Sequence, residues 1–119
     1  MLNHHTNQVF IDNLEVGDED RIGEEGKGFQ YLVDSLNSER LLVASESLGD
    51  GKGFVARAAR YSSERIVFDR PIGANQGVQF PIAKAYAQTQ AAELMLRKAA
   101  AMFQAGQPCG EFANLSKLL

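Results

Sequence analysis

The sequence predicts a mainly α chain: a partial up-down four-helix bundle, two long helices plus a third just started, with a short N-terminal β-strand remnant. Three observations lead there. Apolar residues recur at helical spacing over two stretches, 29–62 and 79–104. A break carrying Pro71 and Gly73 separates them. A single β-branched and aromatic run, Val9, Phe10 and Ile11, precedes both.

Taken in order, "NQVFIDNLEV" follows that run with Leu14 and Val16 in alternation, which reads as one short strand or strand pair. "GDEDRIGEEGKG" is acidic and glycine-rich, the chemistry of a linking loop. From Phe29 the period changes: Phe29, Leu32, Val33 and Leu36 share one helical face, which continues through Arg40, Val43, Ala44, Ser47 and Leu48 to Val55, Ala58 and Ser62. The second helix carries Ile82, Tyr86, Leu94 and Phe103 and ends at Gly106 and Pro108. Pro81 belongs in its first turn, where the missing N–H is harmless, or at a kink. The third helix begins near Gly110, with Phe112, Leu115, Leu118 and Leu119 on one side. Helices of this length need neighbours on both flanks, so the expectation is a piece of a longer protein.

Composition narrows the function. The 119 residues are 45% hydrophobic and 23% charged, the profile of one folded domain. A net charge of −3 provides no broad cationic face, so nucleic acid and anionic membrane are not expected partners. The one cysteine, Cys109, excludes an internal disulfide and reads as a small semi-buried thiol. His4 and His5 are neighbours that a strand would point to opposite faces, a poor arrangement for one metal ion.

Three groups of residues invite chemistry. In "LNSER", Arg40 emerges from the apolar face while Glu39 leans toward its flank. The pair is either a snorkelling arginine beside a surface carboxylate, or the edge of a cavity in which the carboxylate acts as general base. Behind it, Gly49, Gly51 and Gly53 mark a turn or the close approach of another backbone, with close packing the expectation. "GDGKG" is no phosphate loop, because the Gly-Lys-Ser/Thr ending and the preceding strand are missing. Third, Arg65, Arg70, Asn75, Gln76 and Gln79 gather around a turn that leads into a helix N-terminus. That is either a polar interhelical loop or a place where a phosphate docks.

With these residues in view, the chain resembles the flavin-dependent acyl-CoA dehydrogenases along essentially its whole length. "NQVFIDNLEV" looks like the last strand region of their middle β domain, and "IGEEGKGFQYLVDSLNSER" is similar to the start of their C-terminal helical domain. "ARYSSERIVFDRPIGANQGVQFPIAKAYA" follows the family pattern of a helix ending in Tyr-x-x-x-Arg, a turn, and a Gln-led helix. Two positions depart from it: Asp69 stands in place of the usual glycine after Phe68, and Val67 where many members have a hydroxyl.

The resemblance implies residues 1–25 as a remnant of the middle β domain and linker, and 26–119 as an incomplete C-terminal helical-bundle domain. It implies the α,β-dehydrogenation of an acyl-CoA thioester, with FAD as cofactor, in fatty acid metabolism. The electrons pass to an electron-transfer flavoprotein, the intact enzyme is a homotetramer built as a dimer of dimers, and the fragment alone is inactive. Asn37, Ser38, Glu39 and Arg40 match the lining of the acyl-CoA pocket, and Glu39 matches the catalytic base of the isovaleryl and long-chain branches, whose stretch is Leu-x-x-Glu-Arg. Other branches carry the base later in the bundle. Arg65, Phe68 and Gln76 match contacts to a flavin held mainly by a neighbouring subunit. The expected location is the bacterial cytoplasm, or the mitochondrial matrix in a eukaryote. The competing expectation is a non-catalytic helical interaction or dimerisation module derived from such an enzyme.

Overall fold

A computed structural model describes residues 7–119 of the chain. His4 and His5 lie outside the described residues. Three helices dominate: α1 (Gly28–Glu64), α2 (Gln76–Gln104) and α3 (Gly110–Leu118). They run up, down and up. Residues 51 and 52 of α1 meet 89 and 93 of α2, whereas Ser62 near the top of α1 meets Gly73 just before α2. The helical expectation from periodicity therefore holds, and α3 follows where the apolar spacing after Gly110 places it.

Small side chains let the three helices converge. Leu41, Ala44, Leu96, Ala99 and Ala113 form the core, with Leu48 and Phe112 against it. Ala99 and Ala113 are fully buried, so α3 sits in the groove between the long pair. The ammonium of Lys98 lies 3.7 Å from the centre of the Phe112 ring and closes one edge of that groove. Cys109 is buried beneath the α2–α3 connection, in keeping with a structural thiol.

That connection is built by Gly106. The glycine adopts φ +66°, its N–H bonds the Phe103 carbonyl at 3.0 Å, and the Gln107 N–H bonds the Met102 carbonyl at 2.9 Å. This paired arrangement satisfies two carbonyls that the helix end leaves open. α2 starts about one turn earlier than expected, so Pro81 falls in its second turn and not its first. The Gly77 carbonyl consequently loses the N–H that any other residue at 81 would offer.

Two expectations are corrected. The predicted N-terminal strand does not form among the described residues: 7–17 join no ladder, and Val9, Phe10, Ile11, Leu14 and Val16 are exposed. A lone strand has nothing to bond its backbone. The strands that do pair are β1 (Ile66–Val67) and β2 (Arg70–Pro71), an antiparallel ribbon between α1 and α2. The three glycines, in turn, mark neither a turn nor tight packing. They lie inside continuous helix, a methyl group at Gly49 or Gly53 would meet nothing within 4 Å, and one at Gly51 would touch only Thr89 Oγ1 at 3.7 Å.

The assembly is open. Its radius of gyration is 21.8 Å, against roughly 13–14 Å for a compact domain of this length. Large apolar side chains on both long helices, among them Phe29, Leu42, Phe54, Phe80 and Leu94, are exposed. These helices have faces built to be covered.

One ion-pair group ties α1 to α2. Glu93 accepts from Lys52 Nζ at 2.6 Å and from Arg97 Nη2 at 2.7 Å. Lys52 first, then Arg97, holds the Glu93 carboxyl below its ordinary value of 4.5. A depressed folded-state value means that the stabilisation is fully present above 4.5 and is lost as pH falls through the lower, folded value. Glu93→Gln should therefore flatten the acid limb of melting temperature against pH while leaving its neutral-pH shape intact. Gly49→Ala and Gly53→Ala should each raise stability by about 0.5–1 kcal/mol in urea unfolding of the chain. Gly73→Ala should lower it, because the new methyl would sit 2.9 Å from the Ser62 carbonyl oxygen.

Candidate functional site

The candidate residues form two groups, one on the first half of α1 and one at the turn after it. In the first group the hydrogen bonds run along the helix. Ser38 Oγ donates to the Ser35 carbonyl at 2.7 Å, and Arg40 Nη1 donates to Asn37 Oδ1 at 3.0 Å. Asn37 and Arg40 are half-buried, while Ser38 and Glu39 are exposed. Asn37 also lines a groove of about 480 Å³ with Gln30, Asp34, Phe103 and Cys109. The guanidinium of Arg40 is thus fixed by a neighbour one turn earlier and not left to snorkel freely.

Glu39 is placed differently. At 100° per residue it lies nearly opposite Leu41, Ala44 and Leu48, the residues through which α1 meets its neighbours. Its face is mixed: exposed Leu32, Leu42 and Val43 share it with half-buried Leu36 and with exposed Ser35 and Glu46, and Leu42 is 72% exposed. Among the described residues no ion pair involves Glu39. A carboxylate without an ion-pair partner thus sits on an exposed face that is partly apolar and partly polar. The sequence pattern set Glu39 on the flank of the packed face, whereas the structure sets it on the far side.

The second group is built on a tight hairpin. β1 and β2 pair with Ile66 opposite Pro71 and Val67 opposite Arg70, leaving Phe68 and Asp69 as the two-residue loop. Both have positive φ, 50° and 60°, the requirement of a type I′ turn. Asn-Gly or Asp-Gly meets that requirement easily; a bulky phenylalanine does not, and a non-glycine residue held there costs about 1–3 kcal/mol. Phe68 is nevertheless 94% exposed. Strain combined with exposure marks a side chain held out for contact.

Arg65 caps α1, its N–H bonded to the Tyr61 carbonyl at 2.9 Å, and its own carbonyl accepts from Ile72 N–H at 2.9 Å. Its guanidinium is exposed and, among the described residues, has no hydrogen-bond or ion-pair partner. Gln76 opens α2 and is exposed. Among the described residues the N–H groups of Gln76 and Gly77 find no backbone acceptor. The turn therefore gathers a free guanidinium, a side-chain amide and two backbone donors, a donor set suited to a diphosphate. No cluster of metal-ligating side chains occurs among the described residues, and no helix there is long and apolar enough to cross a membrane. Asp69→Gly should raise the melting temperature of the chain by relieving the second loop position, a gain of up to ~1 kcal/mol in unfolding free energy.

Comparison with known proteins gives consistent results. The family model described as "Acyl-CoA dehydrogenase, C-terminal domain" matches residues 26–119. An acyl-CoA dehydrogenase of Bacillus subtilis is 34% identical over 113 residues, 95% of this chain and 30% of that protein. Cyclohex-1-ene-1-carbonyl-CoA dehydrogenase of Syntrophus aciditrophicus is 39% identical over 98 residues, covering 82% and 24%. Among solved structures, butyryl-CoA dehydrogenase of Megasphaera elsdenii superposes with a TM-score of 0.72 at 35% identity, over 79% of this chain and 24% of that one. A chain in a structure described as "Electron transferring flavoprotein of Acidaminococcus fermentans: Towards a mechanism of flavin-based electron bifurcation" gives 0.72 at 35%, over 79% of this chain and 25% of that one. The chain spans less than a third of the length of these relatives.

Proposed function

The chain belongs to the acyl-CoA dehydrogenase family, and from that premise we propose that it forms part of an enzyme that desaturates an acyl-CoA thioester at Cα–Cβ, with Glu39 as the base. The observation that carries this reading is the setting of Glu39: unpaired, on the side of α1 away from the packed helices, and flanked by exposed Leu32, Leu42 and Val43. A carboxylate destined to stay on the surface gains nothing from apolar neighbours. One destined to face an acyl chain does, because the leucines and valine that would bind the chain also exclude water around the proton being removed.

The residues divide the work. Glu39 takes the α proton onto its carboxylate. Arg40, braced by Asn37, supplies a fixed positive charge at the pocket edge, and Ser38 keeps its hydroxyl on the helix backbone. FAD, when bound, would supply the two-electron acceptor that the desaturation requires, taking the β hydrogen with its electron pair. The donor set at the hairpin fits that cofactor: Arg65 offers a bidentate fork to the diphosphate, Gln76 an amide beside it, and Phe68 an exposed ring for stacking.

Both groups cannot serve one cofactor. From Glu39 to Arg65 the chain follows a single helix, roughly 39 Å at ~1.5 Å per residue, longer than an extended flavin dinucleotide. Each chain then gives its base to one active centre and its Arg65 turn to another, which supports a homo-oligomer with the cofactor at a subunit interface. The likeness to a chain in an electron-transferring flavoprotein structure supports that class of protein as the electron acceptor.

In the full-length enzyme, Glu39→Gln should lower turnover by about 10²–10⁴-fold while flavin absorbance and acyl-CoA binding persist. Wild-type turnover in a flavin-loaded Glu39→Gln enzyme would remove Glu39 from the role.

A further inference from the structure

The two arginines of the hairpin are treated differently. Arg65 is free, whereas Arg70 Nη2 donates to Asn75 Oδ1 at 2.6 Å. Asn75 is the residue before α2, where an asparagine ordinarily turns its side-chain oxygen onto the first free N–H groups of the helix. Here it makes no such bond. Its Oδ1 faces Arg70, its Nδ2 donates to the Ile72 carbonyl at 3.1 Å, and only its backbone carbonyl reaches the helix, accepting from Val78 and Gln79 at 2.9 and 3.0 Å. Gln79 Nε2 closes the same loop on the Gly73 carbonyl at 2.6 Å.

We infer that Arg70 and Asn75 form a latch that positions the Phe68–Asp69 turn and keeps the start of α2 uncapped, so that two residues without contact to the cofactor set its affinity. The inference rests on the reading of the hairpin as a flavin diphosphate site. The latch does two things at once. It ties β2 to α2 across the loop, holding the turn in its strained form with Arg65 and Phe68 outward. By committing Oδ1 to Arg70, it also leaves the N–H groups of Gln76 and Gly77 for an anion. Without the latch, Asn75 is free to cap α2 with its own side chain, and the site loses donors to an internal competitor. Both residues are therefore positioning residues.

The test uses the full-length enzyme stripped of flavin, with FAD rebinding read by quenching of flavin fluorescence and apoenzyme melting read separately. Arg70→Met should weaken FAD binding by about tenfold and Asn75→Ala by less, because it removes the competing cap together with the latch, with apoenzyme melting little changed in both. The double variant should be no worse than Arg70→Met alone, since both changes break one bond and the second also removes the competitor. Unchanged FAD affinity in Arg70→Met, or additive losses in the double variant, would overturn the latch. So would a fall in apoenzyme melting large enough to account for the lost binding. Arg65→Ala separates the two levels: if it weakens FAD while Arg70→Met does not, only the latch fails. If Arg65→Ala also leaves FAD affinity unchanged, the flavin reading of the hairpin falls and the latch with it.

Discussion

The contact on which the rest depends is the meeting of Leu41, Ala44, Leu96, Ala99 and Ala113. Alanines at three of five positions bring the helix backbones close, and dispersion between closely packed surfaces grows steeply as gaps close. This small core fixes the rotation of α1 about its own axis. Once Leu41 and Ala44 face inward, Asn37 and Arg40 lie beside the seam and Glu39 lies behind it. The candidate residues on α1 are thus oriented by residues outside the candidate site.

The second constraint is the passage from α1 to α2. It turns a chain end over end within a few residues by using a two-residue hairpin, and Gly73 passes close enough to the Ser62 carbonyl that no side chain fits between them. Side-chain hydrogen bonds from Arg70, Asn75 and Gln79 then stiffen what a two-rung ladder could not hold alone. A strained Phe68 persists only because the surroundings fix the loop from several sides.

Much of the fold was legible in the sequence, because long helices announce themselves by apolar period. Phe29, Leu32, Val33 and Leu36 set the start of α1, and Gly106 with Pro108 set the end of α2 where the structure has it. The hairpin was not legible, since type I′ turns are recognised by Asn-Gly or Asp-Gly and this one uses Phe-Asp. The strand expected over 7–16 failed for another reason: alternation shows that a segment can pair, and pairing requires a second strand. The glycines misled because a residue without a side chain signals room for a neighbour whether or not the neighbour is there. At the site, residue types were legible at Glu39, Arg65 and Gln76. The side of α1 on which Glu39 stands was not, since Arg40, Val43 and Leu36 blur the edge of the apolar stripe. The division of labour between Arg65 and Arg70 was equally hidden, because identical side chains differ only in what lies within 3 Å of them.

Gly49, Gly51 and Gly53 lie about midway between Glu39 and Arg65 on the rod of α1. Each lowers the local resistance of the rod to bending, and at Gly49 and Gly53 nothing lies within 4 Å of where a side chain would begin. A beam softened at midspan yields there first. Its two halves then need not move as one rigid rod, and a displacement near Glu39 is damped before it reaches Arg65.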